Sequence, residues 1–353
     1  MHYLLVSYDD YFNIPYIKYY EDMLRSKNIA YDIVLWNRSG QPVYLPHAHV
    51  FSAKDSHSKF GKIIPFFLWR QFASDLILKE KYDRLIVLTT MPAVLLSGLL
   101  LKKYRGRFWL DIRDFTYENI WPYKKLVWKL VHAAAGVSIS SPAFSSFLPE
   151  SGNIFLTHNI SNIQSAADHC LQDMQHRPLC IGFVGGVQFE IQNRFLLRQF
   201  ANNPDFTFKY VGKVHPGCNL ERFCEESGIG NVEFIPAFTN DQKPAIYESV
   251  DLINCVYGCN SQVSRLLLPN RLYDCVLFKK PIIVSKGTFL AETVSRYSLG
   301  LAVDVEQENV VEKLENYLAH FNRQEFEQGC RVFLSEVEKD MEKYTRSLSE
   351  FCS

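Results

Sequence analysis

Short apolar runs alternate with amphipathic stretches along almost the whole chain, and this alternation restricts the fold more than any other feature. Several segments have the length and composition of strands, among them 84–89, 108–112, 179–184 and 232–235. Helical periodicity is found in others, among them 66–79 and 93–104. Strands that alternate with helices form parallel sheets, because a crossover helix returns the chain to the end of the sheet from which the next strand starts. The pattern therefore predicts an α/β protein built on parallel sheets flanked by helices.

The alternating pattern occurs twice, with one interruption. A chain of 353 residues has room for two domains of about 150 residues each. Periodicity is lost across 161–177, where Ser, Asn, Gln and His prevail, so we predict an interdomain linker there. The first domain then covers residues 1–160, the second covers 178–334, and a C-terminal helix occupies 335–353.

Composition excludes several classes of function. The formal net charge is zero, so no global field attracts the chain to nucleic acid, and we predict no nucleic-acid partner. The nine cysteines form no CxxC pair and have no metal-type spacing with histidine, which predicts no metal site and fits a reducing cytoplasm. The longest apolar stretch, 93–101, is far shorter than the roughly 20 residues of a spanning helix. We therefore expect a cytoplasmic protein that does not cross a membrane, with contact at the cytoplasmic membrane face left open.

Segment 268–285 carries the most chemical information. It predicts a loop that ends in an Asn270 cap, a helix that begins at Arg271, and a buried strand at 281–284. The free amides of a helix N-terminus, together with the Arg271 guanidinium, favour a phosphate group. Asp274 lies one helical turn after Asn270, where its carboxylate could accept hydrogen bonds from two ribose hydroxyls. The segment therefore predicts a nucleotide site.

The same segment resembles the Pro-Asn-Lys-Leu-Phe-Glu and Gly-Lys-Pro-Val-Ile signature of GT-B glycosyltransferases, especially the retaining bacterial enzymes that build surface polysaccharides. The resemblance covers essentially the whole chain. It implies the GT-B fold, in which two Rossmann-like doubly wound domains face a central cleft. It also implies that the final helix, 335–353, packs back on the N-terminal, acceptor-binding domain, and that the C-terminal domain binds the nucleotide sugar.

Three further loops match places where the family contacts its donor. Gly185 and Gly186 follow an apolar strand, where a backbone without Cβ atoms can approach a diphosphate closely. The basic residue and Lys-Gly pair of the family are missing after them, however. Lys213 could neutralise the diphosphate, and the loop at Pro236 resembles the one that encloses the base, which we expect to be uracil. An ordinary glycine turn, a solvated lysine and a loop that packs into the core are the alternatives.

The acidic pair of the retaining enzymes is broken in this sequence. Those enzymes carry two acidic residues at a fixed spacing, and Leu266 stands where the first would fall. The contact with the donor sugar then passes to polar groups such as Asn260, Ser261 or Ser264, and Arg265 is available for phosphate. The identity of the donor sugar and the retaining outcome rest on the resemblance alone.

In the first domain, segment 108–118 places two carboxylates and a guanidinium at the end of a strand. The segment resembles the Arg-Asp-Leu-Trp-Pro-Glu stretch of some bacterial sugar transferases. Asp114 is the leading candidate to position or deprotonate the acceptor hydroxyl, with Arg113 as its orienting partner. An Asp–Arg salt bridge that only shapes the loop is the alternative.

Two basic, aromatic and apolar stretches, 95–107 and 124–129, could lie on anionic lipid, which would allow peripheral contact with the cytoplasmic face of the inner membrane. Buried helices with charged ends are the alternative.

The sequence therefore predicts a retaining hexosyltransferase that needs no metal or cofactor and moves a sugar from a nucleotide donor, UDP-linked, to a hydroxyl of a glycan or lipid-linked acceptor. The expected setting is the biosynthesis of a surface polysaccharide such as a capsule. Two alternatives remain open: a nucleotide-sugar 2-epimerase of the same fold, and a non-catalytic nucleotide-sugar-binding partner subunit.

Overall fold

The computed structural model describes residues 1–53, 64–160, 174 and 176–353, so most of the predicted linker, 161–177, lies outside the described residues. The described residues form two compact units. The first comprises Met1–His158 and Lys339–Ser353, and the second comprises Asn159–Glu338. Within the described part of the chain, no helix is both long enough and apolar enough to span a membrane.

The first unit contains a parallel sheet of seven strands in the order β3-β2-β1-β4-β5-β6-β7. Five α-helices accompany it within the described residues up to His158. The strands are β1 (His2–Val6), β2 (Ala30–Asn37), β3 (Ala48–Ser52), β4 (Arg84–Leu88), β5 (Phe108–Ile112), β6 (Gly136–Ile139) and β7 (Ile154–Leu156); the helices are α1 (Ile17–Ser26), α2 (Ile64–Glu80), α3 (Thr90–Leu95), α4 (Ser97–Lys102) and α5 (Trp121–Ala133).

The second unit contains a parallel sheet of six strands in the order β10-β9-β8-β11-β12-β13. A last long helix continues from this unit into the first. The strands are β8 (Leu179–Val184), β9 (Phe206–Val211), β10 (Val232–Ile235), β11 (Leu252–Cys255), β12 (Ile282–Ser285) and β13 (Gly300–Val303); the helices are α6 (Glu190–Gln199), α7 (Leu220–Ser227), α8 (Lys243–Glu248), α9 (Gln262–Leu266), α10 (Asn270–Leu277), α11 (Phe289–Arg296), α12 (Val310–Ala319) and α13 (Arg323–Phe351).

The end of α13 is part of the core of the first unit. Tyr344, Leu348 and Phe351 are buried there with side chains of the sheet. The hydroxyl of Tyr3, on β1, donates a hydrogen bond to the Phe351 carbonyl at 2.9 Å. The indole of Trp109, on β5, lies edge-on to the Tyr344 ring, with centroids 6.1 Å apart. The last turns of the chain therefore cover one face of the first sheet.

The predicted helix cap at Asn270 is wrong. Helix α10 begins at Asn270 itself, its N-cap is Pro269, and no side chain caps it. The reason is the proline ring, which fixes φ near the observed −77° and, with ψ at 160°, gives Pro269 the extended conformation of an N-cap residue. Asn270 is consequently a helical residue with an exposed side chain.

Candidate functional site

The candidate residues of the second unit collect at one edge of its sheet. Because all six strands are parallel, their C-terminal ends form a single carboxyl edge, where ligands of such sheets bind. Gly185 and Gly186 follow β8, Lys213 follows β9, Pro236 follows β10, and Asn260 belongs to the loop after β11. The topology thus brings together residues that lie far apart in the sequence.

Two glycines, one in each loop, allow the main chains of the loops after β8 and β9 to contact each other directly. A Cβ atom on Gly212 would lie 2.1 Å from the Gly185 carbonyl oxygen, and φ of Gly212 is +139°. Gly185 has φ of +123°, and a Cβ atom there would lie 3.3 Å from Nη2 of Arg271. The amide of Val187 also donates to the Lys213 carbonyl at 2.9 Å. Main-chain atoms therefore dominate this part of the edge.

Arg271 lies beneath this glycine loop. The residue is only 4% exposed. Its Nε donates to the Val184 carbonyl at 2.7 Å, and its Nη1 donates to the Tyr257 hydroxyl at 2.6 Å. The centroid of the Phe183 ring lies 3.4 Å from its Cζ. The role of Arg271 as a phosphate ligand stays a prediction, and Nη2, the nitrogen beside Gly185, is the atom that would fulfil it.

Asp274 has partners that the sequence analysis missed. The residue is 5% exposed, and its carboxylate accepts hydrogen bonds from Lys243 Nζ at 2.9 and 3.0 Å and from the Tyr247 hydroxyl at 2.9 Å. Both partners belong to α8, and no local spacing in the sequence connects that helix with α10. The ribose contact of Asp274 stays a prediction, and a ribose would have to compete with Lys243 for the carboxylate.

The loop after β11 contributes exposed polar groups. Asn260 and Arg265 are both exposed, and Nε of Arg265 donates to the Cys259 carbonyl at 2.6 Å. Leu266, which stands where an acid was expected, is the last residue of α9. Asn260 and Arg265 therefore remain available at the surface for the predicted contacts with sugar and phosphate.

The loops after β8 and β11 also meet through an aromatic stack that the sequence analysis missed. The rings of Phe189 and Tyr257 lie 4.0 Å apart at an interplanar angle of 15°. Phe189 has φ of +61°, a strained conformation for a bulky residue. The Tyr257 hydroxyl also accepts a hydrogen bond from Arg271, so the stack with Phe189 holds in place the ring that positions the Arg271 guanidinium.

In the first unit, Arg113 forms a buried ion pair with Asp111. Its Nε donates to both carboxylate oxygens, at 2.9 and 3.0 Å, and Ser138 Oγ donates to the same carboxylate at 2.8 Å. From the sequence, Arg113 is predicted to orient Asp114. Asp111 is the partner instead, and its two oxygens share the single Nε–H of Arg113. Side chains two positions apart in extended backbone point to the same face, and Arg113 directly follows β5. The structure therefore has an Asp–Arg ion pair in this segment, as the alternative proposed, but the aspartate in it is Asp111.

Asp114 is exposed at the carboxyl edge of the first sheet, just after β5. Desolvation by surrounding protein atoms raises the pKa of its carboxyl group, while the charge of Arg113 lowers it and that of Asp111 raises it; the net pKa is raised. Nearby Glu118 is buried and accepts hydrogen bonds from Thr90 Oγ1 at 2.8 Å and from the Thr116 amide at 2.5 Å, so it fixes the loop that follows Asp114. An exposed carboxyl group with a raised pKa is suited to accept a proton.

Among the residues that the structure describes, no three His, Cys, Asp or Glu side chains are grouped so that they could hold a metal ion.

No family model and no curated protein matches the sequence. Solved structures do match over nearly the whole chain at low identity. Sucrose-phosphate synthase from Thermosynechococcus elongatus has a TM-score of 0.69 at 12% identity, covering 99% of this chain and 98% of that one. HepE from Anabaena, solved with UDP and glucose, has a TM-score of 0.64 at 13% identity, covering 99% and 100%.

A UDP-forming α,α-trehalose-phosphate synthase from Burkholderia xenovorans, solved with glucose-6-phosphate, has a TM-score of 0.68 at 9% identity, covering 99% of this chain and 100% of that one. These proteins are GT-B glycosyltransferases. The chain has their fold, with two Rossmann-like domains, so the predicted fold class and the resemblance are confirmed.

Proposed function

We propose that this protein is a glycosyltransferase that moves a sugar from a UDP-linked donor to a hydroxyl group of a glycan or lipid-linked acceptor. The observation that carries the proposal is the carboxyl edge of the second sheet, where two glycine loops and the N-terminus of α10 converge around Arg271. Similar proteins support the choice of nucleotide, since HepE was solved with UDP and the trehalose-phosphate synthase is described as UDP-forming.

The second unit would bind the donor and stabilise its leaving group. When the bond between the anomeric carbon and the phosphate oxygen breaks, negative charge develops on the diphosphate. The amides of α10, Arg271 and the exposed Lys213 and Arg265 would neutralise that charge, which is the largest contribution that such a site can make. Since these cations can do so without a metal, we propose a metal-independent transfer. The proposal that the transfer is retaining rests on the resemblance to the retaining enzymes.

The first unit would bind the acceptor. Its hydroxyl oxygen would form the new bond to the anomeric carbon. Asp114 would hold that hydroxyl in position by accepting its hydrogen bond and would take up its proton as the bond forms. The exposed position of Asp114 and its raised pKa support this role. Arg113 would act indirectly, by fixing Asp111 and by placing positive charge near Asp114.

The same proposal extends to the setting of the reaction, the biosynthesis of a surface polysaccharide such as a capsule, in the cytoplasm and in peripheral contact with the membrane. Helix α5 supports the membrane contact. Trp121 at its start is 60% exposed, and Lys125 lies 6.0 Å from that ring. Lys124 lies 5.3 Å from the Trp128 ring. Aromatic and basic side chains of this kind favour anionic lipid surfaces.

The test is the release of free nucleoside diphosphate from a panel of nucleotide sugars, with and without glycan and lipid-extract acceptors. We expect release that depends on the acceptor, and we expect Asp114→Asn to lower kcat by roughly 10² to 10⁴-fold without weakening donor binding. Asp22→Asn, the same change at an exposed aspartate of α1, is the matched control and should retain activity. An epimerised donor would instead support the 2-epimerase, and binding without turnover would support the partner subunit.

A further inference from the structure

Arg38 is an exposed arginine whose guanidinium group lies against three aromatic rings of the first unit. Its Cζ atom is 4.3 Å from the centroid of Trp36, 4.9 Å from that of Tyr8 and 5.5 Å from that of Phe66. Within the described part of the chain, the structure shows no carboxylate in an ion pair with Arg38. Among the described residues, the cation is thus held in place by neutral rings and not by a carboxylate.

The backbone that carries Arg38 is fixed as well. The carboxylate of Asp10 accepts hydrogen bonds from the Arg38 amide at 3.2 Å, from the Ser39 amide at 3.0 Å and from Ser39 Oγ at 3.1 Å. Asp10 is itself buried, 7% exposed. The loop after β2 is therefore tied to the loop after β1, and little conformational entropy remains to be lost when Arg38 binds a ligand.

Arg38 lies at the same carboxyl edge as Asp114. It follows β2 directly, and the order β2-β1-β4-β5 separates it from the loop after β5 by three strand spacings, about 14 Å. Tyr8, which follows β1, lies between them. Burial raises the pKa of the Tyr8 hydroxyl, which also experiences the charges of Arg38 and Asp114. One ligand lying across Tyr8 could therefore reach both residues.

We propose that Arg38 binds an oxyanion carried by the acceptor, a phosphate or a carboxylate group, while the reacting hydroxyl lies at Asp114. The inference rests on the proposed transferase function and narrows its acceptor to an acidic sugar or glycan. Arginine suits this task because its planar guanidinium can stack on aromatic rings and still present its N–H groups to two oxygens of one anion.

The geometry favours this role over a purely structural one. A guanidinium that only filled a gap between rings would not need to be exposed, and a surface arginine without a role would not need its backbone anchored by a buried aspartate. Asp9 and Asp114 at the same edge are acidic, so a negatively charged ligand needs a local cation. Arg38 provides that cation at the side of Tyr8.

The experiment is a calorimetric titration of the full chain at low ionic strength with glucose 6-phosphate, glucuronate and glucose. We expect at least one acidic sugar to bind about tenfold more tightly than glucose, because a hydrogen-bonded charge pair replaces a neutral contact. The two acidic ligands distinguish phosphate from carboxylate. In Arg38→Ala, the affinities for the acidic sugar and for glucose should differ by no more than about twofold. Arg38→Lys should retain only part of the tenfold difference.

Arg105→Ala is the matched control, because Arg105 is an exposed arginine of the same unit located before β5, at the opposite end of the sheet. It should leave the preference unchanged. The inference is overturned if the acidic sugars bind no more tightly than glucose, or if Arg38→Ala keeps the preference. Transfer of the sugar to neutral and acidic acceptors at equal rates would support the transferase function and contradict this inference. Tighter binding of acidic sugars that depends on Arg38, without turnover of any nucleotide sugar, would support the anion site and contradict the transferase function.

Discussion

The carboxyl edges of the two sheets each combine buried and exposed charged groups, but the leading candidate residues of the two units differ in their exposure. In the second unit, Arg271 and Asp274 are 4% and 5% exposed, and each has several protein partners. In the first unit, Arg38 and Asp114 are exposed. A fixed and buried set of ions suits a ligand that is always the same, such as a nucleoside diphosphate, because little has to move on binding apart from Lys243, which occupies the Asp274 carboxylate. Exposed groups suit a ligand that differs between enzymes of one fold, such as an acceptor.

The largest expected effect comes from breaking the backbone contact in the second unit. Gly212→Ala would place a Cβ atom 2.1 Å from the Gly185 carbonyl oxygen, so the two loops would have to separate. We expect a loss of about 3 kcal/mol in the free energy of unfolding of that unit, together with loss of UDP binding. Denaturant unfolding and a UDP titration measure the two effects.

Gly98→Ala is the control for this substitution. Gly98 lies in α4, and apart from its chain neighbours and the adjacent backbone of its own helix nothing lies within 4 Å of the position that its Cβ would occupy. Alanine there should stabilise the first unit by roughly 0.5–1 kcal/mol and leave UDP binding alone. Wild-type affinity for UDP in Gly212→Ala would mean that the glycine loops do not form the diphosphate site.

A second, smaller effect shows whether Asp274 binds the ribose or only joins α10 to α8. Asp274→Asn should weaken UDP binding by about tenfold if its charged carboxylate accepts the ribose hydroxyls. Lys243→Met removes the lysine that occupies the same oxygens, so we expect UDP binding to be kept or strengthened even though the protein becomes less stable. Both affinities can be measured by calorimetry. If the two substitutions weaken binding equally, Asp274 serves only to join α10 to α8.

The smallest effect concerns the exposed carboxylate of the first unit. Because the pKa of Asp114 is raised in the folded protein, the folded state binds this proton more strongly than the unfolded state does. Wild-type stability should therefore fall as pH rises from about 3.8 through the raised pKa. Asp114→Asn lacks this dependence and should be more stable at pH 7 by less than about 1 kcal/mol, because solvent screens the group.

Unfolding curves of both proteins at a series of pH values provide the comparison. If the wild-type protein and Asp114→Asn show the same change of stability with pH, the surroundings of Asp114 do not raise its pKa.

Much of the fold could be predicted because its strongest signals are local. The strands at 108–112, 179–184 and 232–235 have the predicted bounds, since each is a short run rich in β-branched, aromatic or other apolar residues between breakers. Strand β3, Ala48–Ser52, was missed because it is a half-buried edge strand of mixed composition. The helix predicted at 93–104 is two helices, α3 and α4, which meet at Leu96.

For the candidate site, the sequence predicts which residues lie at the carboxyl edge of the sheet, but not which side chains pair with one another there. Parallel strands place Gly185, Lys213 and Pro236 at one edge, and this follows from the pattern alone. The pairing of Lys243 with Asp274 did not follow, because it depends on how α8 packs against α10. The pairing of Arg113 with Asp111 was within reach, since alternation along a strand determines it.

Hydrogen–deuterium exchange of the full chain with and without UDP tests the central claim most directly, namely that the edge of the second sheet binds the nucleotide. We predict that UDP slows exchange in segments 184–190, 211–215 and 268–277, which form that edge, and leaves segments 7–10 and 112–118 of the first unit unchanged. Protection confined to those two segments of the first unit, or no protection in any of the five at saturating UDP, would contradict it.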